Sequence, residues 1–300
     1  MKSRPQTLVV ISYYDRRPIN PLNNLLESMR EFDAGIEYSI CVVVNRTTNK
    51  ELKLSFNEKP LSILYRKNTG MNIGAWDHAW RSKPEFDSFL FLQDECYITK
   101  NNWLAEFKTK ANERSVGLVG ESMNKNWDHS WLELRKLQKD VKLREHEQNG
   151  VEINRVDLYQ QFLADQNIPV GATGRHLRSL IWFATKETLE SIDGFPIGKN
   201  YGECIAAEIG VSKKVEAAGL QIVQVRDNSF HFIRHIEWNQ ASTGSEFIHN
   251  SNSVSSQVQS KKEINDLPQS FIKKAWNNLV IMINNRVQNN IKQFIGRKDS

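Results

Sequence analysis

Cysteine is scarce in this sequence. Cys41, Cys96 and Cys204 are its three cysteines among 300 residues, and none forms a CxxC pair or joins a His/Cys cluster with zinc spacing. That excludes a disulfide scaffold and a zinc-ribbon type of fold, and it suits reduced thiols in a cytoplasmic protein. No long apolar run follows Met1-Lys2, where the chain goes almost directly into a short strand pattern at Thr7–Ser12. Neither a signal peptide nor a membrane anchor is expected there. A cytoplasmic protein, at most peripheral to the inner face of a membrane, is the expectation. No dense Lys/Arg block with interleaved aromatics occurs, which argues against nucleic acid as a partner. No internal repeat is present.

What the chain does contain is a globular composition. Hydrophobic residues make up 39 %, and the formal net charge is +5 with a pI near 9.0. A sizeable core is therefore available, and the mild basicity suits an anionic ligand or a membrane surface.

The first part alternates strand and helix signals. Thr7–Ser12, Tyr38–Val44, Leu61–Tyr65 and Ser88–Leu92 are apolar runs of strand length. Between them, Pro21–Phe32 places Leu22, Leu25, Leu26 and Met29 on one helical side, and Ile73–Arg81 reads as a second helix. This rhythm predicts an α/β fold: a Rossmann-like, mostly parallel sheet with helices on both faces. Ligands of such sheets bind beyond the carboxyl ends of the strands. The polar clusters after Ser12, Val44, Tyr65 and Leu92 all fall at that edge.

Further on, Trp127–Asp165 is rich in charge and reads as two exposed helices broken near Gly150. Ile181–Thr185 is a strand, Ala206–Ala218 a helix stopped by Gly219, and Leu220–Val225 a strand. Residues 239–268 read as a polar linker. Residues 269–300 read as an amphipathic helix with Ile272, Trp276, Leu279, Ile283, Val287 and Ile291 at helical spacing. Its stripe suits docking on the main domain, a homodimer contact, or a peripheral membrane contact.

The chemistry centres on Phe89-Leu-Phe-Leu-Gln-Asp-Glu95, where a hydrophobic strand delivers carboxylates to the sheet rim. Hard divalent ions such as Mg²⁺ or Mn²⁺ prefer carboxylate oxygens and leave positions open for phosphate. Such an ion would neutralise a nucleotide diphosphate leaving group.

The order of motifs resembles the family-two inverting glycosyltransferases, which share the GT-A fold. The motifs are Val9-Val-Ile-Ser-Tyr-Tyr-Asp15, Val44-Asn45-Arg46, Asn68-Thr-Gly-Met-Asn-Ile-Gly-Ala75, the DxD-like Gln93-Asp-Glu with Trp103-Leu104, Trp182-Phe-Ala-Thr-Lys186, Asp193-Gly-Phe195, and an acidic helix running to Gly219 before a late histidine. The resemblance covers roughly residues 7–238. It implies a GT-A domain over 1–238, with a nucleotide-sugar half at 1–105 and an acceptor half at 106–238 that carries a helical insertion at about 127–165.

The roles implied by the resemblance are these. Tyr13, Asp15 and Asn45 line the nucleoside pocket. Asn68, Gly70, Asn72 and Gly74 lie near ribose and phosphate, and Asp77 reaches the nucleoside. Arg66 and Lys67 are candidate phosphate contacts, as are Arg175, His176 and Arg178. Gln93 and Asp94 face the donor. Asp94 and Glu95 hold the metal with a late histidine, His231 by preference and His235 in reserve. Glu208 is the catalytic base and Glu203 the reserve candidate. Trp182 is a candidate stacking surface for an acceptor sugar. Two positions depart from the pattern: Gln93 and Ala207 stand where acids are usual.

The implied activity is transfer of a sugar from a nucleotide-diphosphate donor, UDP-linked by preference. The acceptor would be a glycan or lipid-linked glycan in cell-envelope polysaccharide or lipopolysaccharide synthesis. Two other readings stay open: a nucleotidyltransferase of related fold, and a degenerate glycan-binding scaffold.

Overall fold

The computed structural model describes residues 6–54, 56, 59–138, 140–142 and 152–237. The linker expected at 239–268 and the helix expected at 269–300 lie outside the described residues. Among the described residues, no helix is long and apolar enough to cross a membrane.

Four strand segments of the first part form as the apolar runs predict. They are β1 (Thr7–Tyr14), β2 (Tyr38–Arg46), β3 (Leu61–Lys67) and β4 (Ser88–Gln93), with helices α1 (Asn20–Glu31) and α2 (Met71–Ser82) between them. Then come β5 (Cys96–Ile98), α3 (Trp103–Ala111), β6 (Val116–Gly120) and a 3₁₀ turn at Lys125–Trp127. They are followed by α4 (Trp131–Leu137), β7 (Asp140–Lys142), β8 (Glu152–Asn154) and α5 (Arg155–Asp165). The chain continues with β9 (Ile181–Thr185), α6 (Lys186–Ser191), α7 (Tyr201–Ala217), β10 (Gln221–Gln224) and β11 (Ile233–His235).

Seven strands form the central sheet in the order β10-β6-β9-β4-β1-β2-β3. Every pairing is parallel except those of β9, which runs antiparallel to both β4 and β6. The expected mostly parallel α/β architecture is therefore present. One sheet also runs through both expected halves, since β4 and β9 pair directly.

The inner strands β1, β2, β4 and β9 are buried on both faces, which explains their continuous rather than alternating apolar runs. Along β1, Leu8 and Val10 enter one core cluster while Val9, Ile11 and Tyr13 enter the other. In β4, Phe89 and Phe91 join the first cluster, and Leu90 and Leu92 the second. Trp76 of α2 closes the first cluster. Its indole N–H donates to the Leu92 carbonyl at 3.2 Å, and its ring meets Trp182 edge-on at 5.4 Å.

The charged stretch Trp127–Asp165 departs from its expectation as exposed helices. Two helices form, but the antiparallel pair β7–β8 lies between them. α5 also buries Val156, Tyr159, Phe162 and Leu163 in the first cluster. Its apolar positions are sparse enough that the charged letters around them dominate the sequence.

The reversal of β9 matters for function. It brings the start of β9, with Arg178, Ser179 and Leu180 before it, to the carboxyl edge of β4. There Ile181 pairs with Leu92, and the Gln93 N–H donates to the Leu180 carbonyl at 3.3 Å. A second small sheet sets β11 antiparallel to β5, with His235 opposite Cys96 and Ile233 opposite Ile98.

Candidate functional site

The carboxyl edge gathers Glu208, Gln93 and Asn72 around the backbone of Ser179. Asn72, in the first turn of α2, donates its side-chain amide to the Ser179 carbonyl at 2.8 Å. Gln93, the last residue of β4, donates to the same oxygen at 2.8 Å. The Ser179 N–H donates to Glu208 Oε1 at 2.6 Å. A carboxylate at position 93 has no proton to give that carbonyl, so the amide there has a physical reason. The other departure is explained too: Ala207 is packed in the core, where a charge would be unanswered.

Glu208 projects from the second turn of α7 with its side chain 18 % exposed. Burial pushes its carboxyl up to about 7, against the Ser179 N–H and the charge of Arg178. Its neighbour His176 has Nε2 at 3.9 Å. His176 is buried and held down to about 4 by that burial, so it is neutral near pH 7. Its Nδ1 lies 2.7 Å from the Gly174 carbonyl and must donate, leaving Nε2 to accept from the Asn124 amide at 3.2 Å. Arg178 is half-buried, and burial lowers its pKa while Glu208 raises it. Arg175 lies exposed on the same segment.

Asp94 and Glu95 follow β4. Asp94 is 4 % exposed, and its Oδ2 is buried without a hydrogen-bond partner. Burial raises its carboxyl to about 7, with Arg17 lowering it and Glu95 adding to the rise. Glu95 pairs with Arg17, whose loop is folded back by a hydrogen bond from the Tyr13 hydroxyl to the Arg17 carbonyl at 2.8 Å.

The structure brings His235, rather than His231, to Glu95, with Nε2 at 3.7 Å from Oε2. The antiparallel register decides this, because it places His235 opposite Cys96. His231 instead lies beside Lys100, 3.2 Å from its ammonium, with its ring edge-on to Phe232. His235 Nδ1 accepts from the Glu237 N–H at 3.2 Å, so in the neutral ring Nε2 carries the proton and faces Glu95. In this arrangement His235 offers a proton rather than a lone pair.

Among the described residues, no three His, Cys, Asp or Glu side chains converge as a metal cage. Mg²⁺ and Mn²⁺ sites that share phosphate oxygens need only one or two carboxylates. The orphaned Oδ2 of Asp94, with Glu95 beside it, fits that smaller requirement.

The nucleoside-side candidates have mixed surroundings. Asn45 is buried, accepts from Arg66 Nη1 at 2.7 Å and donates to the Met71 carbonyl at 3.2 Å. Arg66 Nη2 donates to the Thr69 carbonyl at 2.7 Å. Together they fix the loop from β3 to α2. Gly70 opens α2 with φ +71°, a left-handed conformation that glycine adopts without strain. A Cβ on Gly74 would meet the Thr69 carbonyl oxygen at 2.1 Å, so only glycine permits this close approach. Lys67, at the end of β3, and Asn68, in that loop, are exposed.

Asp15 is turned to structural use. It accepts from the N–H and hydroxyl groups of Thr47 and Thr48 at 2.8–2.9 Å. Burial alone would raise its carboxyl, but these donors outweigh it and bring it down to about 2. Asp77 is likewise committed elsewhere, to Trp80 Nε1, Arg81 Nε and the Phe195 N–H, each at 2.9 Å.

Glu203 is a helix cap. It accepts from the Lys199 N–H at 2.7 Å and the Asn200 amide at 2.9 Å, while Asn200 accepts from the Glu203 N–H. Trp182 is 0 % exposed and packs on Trp76 and Phe195, so its ring has no face for a sugar.

Glu121 was not picked out by the sequence. It follows β6 and accepts from the N–H groups of His231, Phe232 and Ile233 at 2.7–2.9 Å. It thereby sets the entry to β11 and the place of His235. The signal available was the apolar run Val116-Gly-Leu-Val-Gly120 ending in an acid, the same pattern as at Asp94.

The sequence matches no protein-family profile and no curated protein. Among solved structures it is similar to the mannosyltransferase PcManGT from Pyrobaculum calidifontis in complex with GDP-Man and Mn²⁺. That likeness has a TM-score of 0.45 at 12 % identity over 75 % of this chain and 56 % of that one. It is also similar to residues 1–349 of TarS from S. aureus, with a TM-score of 0.44 at 16 % identity over 76 % of this chain and 59 % of that one. This chain thus spans less than two thirds of either structure, and neither distant likeness assigns it a function.

Proposed function

We propose that this chain is a sugar-nucleotide-dependent glycosyltransferase of the GT-A type. It moves a sugar from a nucleotide-diphosphate donor, UDP-linked by preference, to a glycan or lipid-linked acceptor with inversion. The setting that the sequence resemblance favours is cell-envelope polysaccharide or lipopolysaccharide synthesis.

The observation that carries the reading is the placement of Glu208. A carboxyl that titrates near neutrality sits at the carboxyl edge of a mostly parallel sheet, joined through Ser179 to the strand end that carries Asp94 and Glu95. A base works best when its pKa lies near the working pH. Glu208 takes the proton of an acceptor hydroxyl, whose oxygen attacks the anomeric carbon as the nucleoside diphosphate leaves from the opposite face. Asp94 and Glu95 would hold a divalent cation, which would supply charge neutralisation for the diphosphate. Arg17 and Arg178 add positive charge along the same edge.

Glu208→Ala is expected to lower transfer by about 10²–10⁴-fold while leaving nucleoside diphosphate affinity nearly intact. In the wild type, kcat/KM should rise with pH through about 7, as Glu208 loses its proton. A variant that keeps most of its activity removes Glu208 from the mechanism.

A further inference from the structure

We infer that Gln93 and Asn72 are positioning residues for Glu208, acting through the backbone of Ser179. The inference rests on the reading of Glu208 as the base.

The Ser179 carbonyl has two lone pairs, and the amides of Asn72 and Gln93 occupy both at 2.8 Å. They arrive from different elements, one from the start of α2 and the other from the end of β4. The N–H of the same residue meets Glu208 Oε1 at 2.6 Å. Ser179 is therefore held at both ends, with its carbonyl anchored to the sheet and α2 and its N–H aimed at the base.

The segment is a loop leading into the reversed strand β9. Its neighbours are tied down, the Arg178 N–H to the Ser122 carbonyl at 2.9 Å and the Leu180 carbonyl to the Gln93 N–H at 3.3 Å, while the Ser179 peptide itself is held by the two amides and Glu208. With either amide donor removed, one lone pair of the carbonyl would be left facing an apolar side chain, and the peptide would shift toward its remaining donor. The N–H that orients Glu208 would move with it. Small displacements of a reacting group are costly: about 1 Å is worth as much as 100-fold in rate. The amide at position 93 is thus part of how the base is aimed.

The test uses the full chain labelled with ¹³C-glutamate. The Glu208 carboxyl is assigned by its loss in Glu208→Gln and titrated in the wild type, Gln93→Met and Asn72→Leu. Both substitutions are neutral and remove a donor without adding charge. The Ser179 N–H opposes the burial that raises Glu208, so loosening it should move the midpoint from about 7 to higher pH. The Ser179 hydroxyl also bonds to Glu208 and lowers its pKa, and it moves with the same residue. The other groups facing Glu208 are His176, Arg178 and Tyr159, and neither substitution alters them.

With the best donor, kcat should fall by about tenfold or more, while nucleoside diphosphate affinity stays within about twofold. The ascending limb of the pH–rate profile should move with the NMR midpoint. Thermal unfolding of each variant checks the fold, and Asn72→Leu in the half-exposed first turn of α2 decides the matter if Gln93→Met does not fold. An unmoved midpoint in a folded variant overturns the inference. The titration needs no substrate, so the two readings fail separately. A moved midpoint in a protein that turns over no nucleotide sugar sinks the transferase reading, and unchanged kinetics in an active enzyme sink this one.

Discussion

Asp94 and Asp15 stand on the same sheet edge and meet opposite surroundings. Asp15 collects four donors from two threonines and is held well below the usual carboxylate range. Asp94 is buried with one oxygen unpaired and is held well above it. The same residue type is a loop clamp in one place and a candidate ligand in the other. An Asp94 raised from 3.8 to about 7 binds its proton more tightly in the fold than in the unfolded chain. Its contribution to stability is complete below about 3.8 and is lost as pH rises through about 7. In metal-free urea denaturation, the wild type should therefore lose stability relative to Asp94→Asn across that window. Mn²⁺ should restore the wild type above neutrality and leave the variant unchanged. Parallel curves for the two proteins would show that Asp94 does not titrate there.

The long elements were legible in the sequence because their signals are strong: continuous apolar runs for the strands and helical spacing for α1 and α2. β1, β2, β4, α1 and α2 fall within a few residues of the expected spans, and Gly219 closes α7 with φ +77° as a C-terminal glycine should. The short elements were not legible. β5 and β11 are three residues each and gain their identity only by pairing with one another, a long-range contact that no local pattern reports. Spacing along the chain points to His231, whereas the register of β11 is what sets His235 beside Glu95. Between the long elements, the loop from β3 to α2 depends on Gly74. Gly74→Ala drives a methyl against the Thr69 carbonyl and toward Arg66. It should destabilise the protein by about 1–3 kcal/mol, read as a lower urea midpoint, and weaken nucleoside diphosphate binding by displacing Arg66 and Asn45. A neutral result would mean that the loop yields freely and does not shape the site.

At the scale of the whole molecule, the strand order explains which of the sequence candidates can act together. Six strands run one way, and the reversed β9 returns Arg178 and Ser179 to the edge where Glu208, Gln93 and Asp94 already lie. The sequence predicts a ligand at that edge from the βαβ rhythm alone, but the reversal of β9 cannot be read from the letters Ile-Trp-Phe-Ala-Thr. Burial also sorts the candidates. Trp182 is spent on packing, Asp77 on three hydrogen bonds and Glu203 on a cap, whereas Asp94 keeps one oxygen unpartnered, Glu95 is paired with Arg17, and Glu208 meets Ser179. In the proposed reading the Gln93-Asp94-Glu95 strand end divides its work, with the amide serving the base through Ser179 and the acids serving a cation.

Thermal unfolding with uridine and guanosine diphosphates, with and without Mn²⁺, tests the central claim most directly. A nucleoside diphosphate and Mn²⁺ together should raise the Tm of the wild type, because a ligand that binds only the folded state stabilises it by mass action. Glu95→Gln should abolish most of that rise. If no nucleotide raises the Tm, or if Glu95→Gln responds as the wild type does, the carboxyl edge is not a metal-assisted sugar-nucleotide site.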